Sequence, residues 1–143
     1  MTLRQLQRQI AETLNDDEAL RQGGCRAFAE DSHDVVQEVA THLQQAGGVA
    51  LVVLTPSAER NGSSPRGLPA RLDGVAVSAV EVPALNRLDT ARMTALQAAQ
   101  RAAHLLDGRT LEWRSIRQDA APDGTVTARA EFGISVMLTP KED

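Results

Sequence analysis

Aromatic side chains are nearly missing from this sequence of 143 residues: two Phe, one Trp and no Tyr, 2% in all. That scarcity argues against modules that stack nucleic-acid bases on aromatic platforms. A basic excess is missing too. Fifteen Lys and Arg stand against nineteen Asp and Glu, for a net charge of −4, the wrong sign for a phosphate-binding surface. One cysteine, Cys25, excludes an intrachain disulfide and a cysteine-built zinc site, and it fits a reducing cytoplasm. Long apolar runs are also lacking. The longest, Val49–Leu54, falls far short of the about 20 residues that span a bilayer, and Met1–Arg8 lacks the apolar centre of a signal peptide. The expectation is a soluble, intracellular protein with neither nucleic acid nor membrane as a partner.

What is present suits one domain over residues 1–143. Hydrophobic residues make up 42% and charged residues 24%, ordinary globular usage, and a chain of this length buries about 70% of its unfolded surface.

Leu3, Leu6, Ile10 and Leu14 form a helical stripe that Asn15-Asp16-Asp17 weakens and Gly23-Gly24 stops. Cys25–Ala29 alternates as a short strand. Asp31-Ser32 is the expected N-cap of a second helix from His33 to Ala46, with Val35, Val36, Val39 and Leu43 inward and Gly47-Gly48 as its left-handed stop. The β-branched run Val49–Leu54 predicts a strand covered on both faces.

Residues 55–72 contain Pro56, Pro65, Gly67 and Pro69, which predict a long flexible loop kept wet by Glu59, Arg60, Arg66 and Arg71. Asp73-Gly74 is the expected turn into a strand over Val75–Val82, which Pro83 ends. Ala84–Arg87 is a connector. Asp89 or Thr90 then caps a third helix to Leu106, with Met93, Leu96, Ala99, Ala103 and Leu106 on its inner face and small alanines on its flanks. Thr110–Gln118 and Thr125–Leu138 predict a hairpin closed by Ala120–Gly124, because the second segment holds a period of two throughout. The order predicts an α+β domain: a mostly antiparallel, mixed sheet of about four strands with helices packed on one face.

Residues capable of chemistry do not converge in the sequence. His104 falls opposite the apolar stripe of its helix, which predicts exposure. His33 and His42 lie nine residues apart, whereas two imidazoles on one helix reach a common metal at i, i+3 or i, i+4. His33, with Asp31 and Asp34, suits the start of a helix. Cys25 has neither a His nor a second Cys nearby, as expected of a buried thiol. Asp16-Asp17-Glu18 lacks the spacing of a calcium loop. Gly62–Gly67 lacks the Gly-Lys-Ser/Thr ending of a phosphate loop, and no Gly-x-Ser-x-Gly elbow occurs. The expectation is a protein that is not an enzyme, with no cofactor and no metal.

Two features suit assembly instead. The final strand outlasts the strand before it, so part of its edge needs another partner, either Val75–Val82 in the same chain or a neighbouring subunit. The loop over 55–72 is long enough to reach an adjacent subunit, or it is a surface excursion without a role.

Val77–Arg87 reads Val-Ser-Ala-Val-Glu-Val-Pro-Ala-Leu-Asn-Arg. A strand ending in an acidic residue and Pro, then Asn-Arg before a capped helix, resembles the tail terminator (tail completion) family of tailed bacteriophages and phage-like particles. Val82 stands where the fuller pattern has Asn. The order of elements over residues 30–140 is similar as well, although the specific part is Glu81–Arg87 alone. The resemblance implies a ring, commonly a hexamer, that caps the tail tube and offers the surface on which the head or neck docks. It implies as partners other copies of the chain, the tail-tube protein and the head–neck connector, with assembly in the host cytoplasm. Glu81, Asn86 and Arg87, together with Glu59, Arg60, Arg66 and Arg71 of the loop, are the expected interface residues. Asn86 and Arg87 would cap the following helix or reach across a subunit boundary, the alternative being that they only satisfy local backbone groups. The alternative is a small ligand-binding or regulatory α+β domain that uses its helix–sheet crevice as a pocket.

Overall fold

Leu6, Ile10 and Leu14 recur at helical spacing, and α1 (Leu3–Asn15) buries all three against the sheet. Full burial of one such side chain stabilises the fold by about 2 kcal/mol. The computed structural model describes residues 3–31, 34–54, 58–60, 70–86, 92–108 and 111–136. Gln7 and Ala11 turn inward on the same helix. Asp17 then accepts the Leu20 N–H and caps a separate short helix, α2 (Glu18–Gln22).

The sheet runs β1 (Cys25–Ala29), β2 (Val49–Val53), β4 (Ala70–Glu81), β6 (Val126–Val136) and β5 (Glu112–Ala120) in spatial order, with the short β3 (Ala58–Arg60) also paired to β4. Among the described strands, only β1 and β2 pair in parallel, joined through α3 (Val35–Gln45). The fold is the expected α+β, with more strands than the four anticipated.

Alternation along the strands splits the interior in two. One face, carrying Leu51, Val77, Ala130 and Phe132, meets α1, α2 and α5 (Ala95–Leu106). The other, carrying Phe28 and Ala50, meets Val35, Val39 and Leu43 of α3. Helices therefore pack on both faces, not on one, because β1 and β2 are apolar on each side. Val36 does not join the buried face; it is 81% exposed. The helix begins after Asp34, which holds a φ of 63°, so Asp31 is not its cap; Ser32 and His33 lie outside the described residues. Gly47 supplies the expected left-handed stop at a φ of 66°.

Further expectations are corrected. Residues 55–72 are not a single loop: Ala58 pairs with Leu72, Glu59 with Arg71 and Arg60 with Ala70. Strand pairing is possible there because every proline of the segment falls outside those two triplets. Asp73-Gly74 accordingly sits inside β4, where one extra residue between Leu72 and Val75 makes a bulge.

Helix α5 starts at Ala95 with a capping box between Thr94 and Gln97; Asp89 and Thr90 lie outside the described residues. Its buried face is alanine (95, 98, 99, 102 and 103), and Leu96 points outward at 36% exposure. The small stripe lets the helix lie close on β4 and β6.

On one edge β4 pairs with β6 from Val126 to Val136, whereas β5 covers the other edge only from Val126 to Gly133. The partner for the longer strand thus lies within the chain on the β4 side alone.

Candidate functional site

Glu81 ends β4 and is 6% exposed. Pro83 follows at the first position of a one-turn helix, α4 (Pro83–Asn86), where its missing N–H costs nothing. That turn brings Asn86 back to Glu81. The Asn86 Nδ2 donates to Glu81 Oε2 at 2.5 Å and to the Met93 carbonyl at 2.8 Å, while the Ala95 N–H donates to Glu81 Oε1 at 2.8 Å. A carboxylate thus sits at the positive end of α5, held there by an amide. Among the described residues, nothing partners the buried Asn86 Oδ1. Glu81 and Asn86, expected at a subunit boundary, instead face inward as a clasp between β4, α4 and α5. The residue that caps the following helix with its carboxylate is Glu81, and Asn86 positions it.

The other expected interface residues are dispersed. Glu59 lies on β3 opposite Arg71 on β4, with Arg60 beside them. Arg71 and Glu81 occupy opposite ends of β4, about 30 Å apart along an extended strand. Arg66 and Arg87 lie outside the described residues.

Further polar groups serve the fold. The Nε2 of His42 lies 3.1 Å from the carbonyls of both Gly24 and Val49, so it donates to both and ties the starts of β1 and β2. Asp17 takes Arg101 in a two-point pair, at 2.8 and 3.1 Å. The Arg101 hydrogen bond holds the Asp17 carboxyl below its usual range, and Asp17 in turn raises the guanidinium. The carboxylate considered for a cation is therefore engaged by a side chain of the same protein. Burial pushes the Cys25 thiol up to about 12, with Glu81 adding to the effect, so it is neutral at neutral pH. Among the described residues, no three His, Cys, Asp or Glu side chains gather as metal ligands.

The outer strands differ in what meets their free edges. On β1, Asn15 accepts the Ala27 N–H through Oδ1 at 2.8 Å and donates through Nδ2 to the Ala27 carbonyl at 3.0 Å. One side chain thereby occupies the place of a neighbouring strand. On β5, Asp107 Oδ1 accepts the Trp113 N–H at 3.0 Å, and an extra residue between Trp113 and Ser115 bulges the strand. Beyond that point, residues 115–120 form a regular edge that is exposed apart from half-buried Ile116.

Beside this edge, Gln100, His104, Asp107, Trp113 and Ile116 line a cleft of about 350 Å³ between α5 and β5. His104 is exposed as expected, and Trp113 is 46% exposed. The arrangement offers backbone hydrogen bonds next to an indole, an imidazole and a carboxylate.

Asn15 and Asp107 escaped the sequence analysis, since an Asn at a helix end and an Asp before Gly signal only a stop. Comparison with protein-family models, with curated proteins and with solved structures finds no match.

Proposed function

We propose that this chain is a structural subunit that works by associating with copies of itself, in the manner the tail terminator resemblance implies. In that role a ring, commonly a hexamer, caps the tail tube of a phage or phage-like particle and presents a docking surface to the head–neck connector. Assembly takes place in the host cytoplasm, and the ring ends in the particle tail. The observation that carries the reading is the unequal treatment of the sheet edges. Asn15 closes β1 with two hydrogen bonds, whereas β5 stays open over six regular residues. An open edge is a template for another chain.

Glu81 and Asn86 act within this account as the rigid joint that sets α5 on the sheet, not as contacts between subunits. Light scattering and negative-stain images of the purified chain, alone and with tail-tube protein, test the proposal. Ring-sized particles are expected, at least in the presence of tube protein. A strict monomer that ignores tube protein contradicts the assignment.

The α5–β5 cleft favours a second reading, a small ligand-binding domain. Its volume of about 350 Å³ sits at the lower end of the ligand-pocket range of roughly 300–1,000 Å³. A thermal-shift screen separates the two, because a ligand bound only by the folded state raises the apparent stability.

A further inference from the structure

The direction in which β5 presents its backbone follows from its turn. The Ala121 N–H donates to the Thr125 carbonyl at 2.8 Å, so residue 121 faces β6. Partners along β5 and β6 keep one register from Ser115↔Glu131 to Ala120↔Val126. Hydrogen-bonded and non-hydrogen-bonded rungs alternate in an antiparallel pair. Residues 119, 117 and 115 therefore also bond to β6, while 120, 118 and 116 turn their N–H and C=O groups to the open edge. Among the described residues nothing pairs with those outward groups.

We infer that this edge pairs with the same edge of a second copy, antiparallel, about a two-fold axis through Gln118. The inference rests on the assembly reading and specifies one contact within it. A two-fold axis normal to the sheet must set one residue opposite its own copy, because adjacent rungs differ in kind and cannot exchange. That leaves few registers. Centring on Arg117 or Asp119 places like charges face to face, which is destabilising. Centring on Ser115 or Ile116 runs the pairing into the bulge at Trp113–Ser115. Centring on Ala120 brings Pro122, which has no N–H, into the ladder.

Centring on Gln118 sets Arg117 opposite Asp119 of the second copy, twice by symmetry, and Ile116 opposite Ala120. The outward groups of 116, 118 and 120 then form about six backbone hydrogen bonds between the chains. On the α5 side, the added strand brings its Ala120 opposite Ile116 at the rim of the cleft, so the contact extends an existing surface. The contact is closed and two-fold. It differs from the head-to-tail contacts that build a ring, and joins either two free chains or one ring to another.

Four variants of the full chain test it. Gln118→Pro removes only an outward N–H, which an edge strand tolerates. The expected result is a native mass halved relative to wild type, with an unchanged far-UV spectrum. Asp119→Arg opposes arginines across the axis and is expected to give the same loss. Adding Arg117→Asp to it restores opposite charges and is expected to restore the wild-type mass. Gln118→Cys places two thiols on facing residues with Cα atoms about 5.5 Å apart, within disulfide reach. Oxidation is expected to give a covalent dimer, and Cys25, buried at 6% exposure, does not compete.

Failure of the charge reversal to restore the mass, or no cross-link at 118, overturns the register. An oligomer untouched by Gln118→Pro and Asp119→Arg overturns the β5 contact while leaving assembly standing. A wild-type monomer at all concentrations overturns the β5 contact, and one that also ignores tube protein overturns both.

Discussion

Asn15 and Asp17, two residues apart at the end of α1, do different work with similar side chains. The amide of Asn15 satisfies both backbone groups of Ala27, so Asn15→Ala removes two hydrogen bonds and uncovers the β1 edge. The expected cost is about 1–3 kcal/mol, measurable by urea unfolding, with concentration-dependent aggregation as a second sign of a bared edge. The carboxylate of Asp17 caps α2 and binds Arg101. Because its folded pKa is depressed, the stability it adds is fully present above the unfolded carboxylate value near 4 and is lost as the pH falls through the folded value. Asp17→Asn should melt lower than wild type at pH 7, and the two melting temperatures should begin to converge below about pH 4, meeting once the pH is below the depressed folded value. At this scale the sequence was partly legible. Cys25 without partners and His104 on an outer face were readable from neighbours and spacing. The inward turn of Glu81 and Asn86 was not, because it depends on Ala95 and Met93, which only the folded chain brings to them.

Among the elements, α5 shows best where pattern and packing part company. Of the expected stripe, Ala99 and Ala103 are buried and Met93 and Leu106 pack against the core, but Leu96 turns outward. Ala95, Ala98 and Ala102, expected on the flanks, take the inner face, because the helix lies close on β4 and β6. Ala102→Leu should therefore overpack this contact at a cost of about 1–3 kcal/mol, whereas Leu96→Ala on the outer side should change stability by less than about 0.5 kcal/mol. Thermal or chemical denaturation of the two variants checks the contrast. The period of two in 126–136 and the aliphatic run at 49–53 were legible as strands, since each states its own burial. The pairing of 58–60 with 70–72 was not. It follows from β4 running past Gly74 through a bulge, a long-range choice that local turn residues conceal. At Gly47-Gly48 the sequence expectation covered one of two reasons. Gly47 adopts the left-handed turn, and Gly48 leaves room for the Gly24 backbone, whose carbonyl oxygen stands where a Cβ would lie.

For the whole molecule, the sheet is plugged by a side chain at one end and left open at the other, while the buried polar groups hold helices to strands. Which edge of the terminal hairpin stays free was not legible from strand lengths. The long β4 takes the opposite edge of β6 along its length and leaves β5 outermost. The account depends on that free edge meeting another copy. Sedimentation equilibrium of the full chain over a hundredfold range of concentration tests this most directly. The predicted mass is a multiple of the 15.3 kDa subunit that persists to micromolar protein, and a value fixed at 15.3 kDa across the range would contradict it.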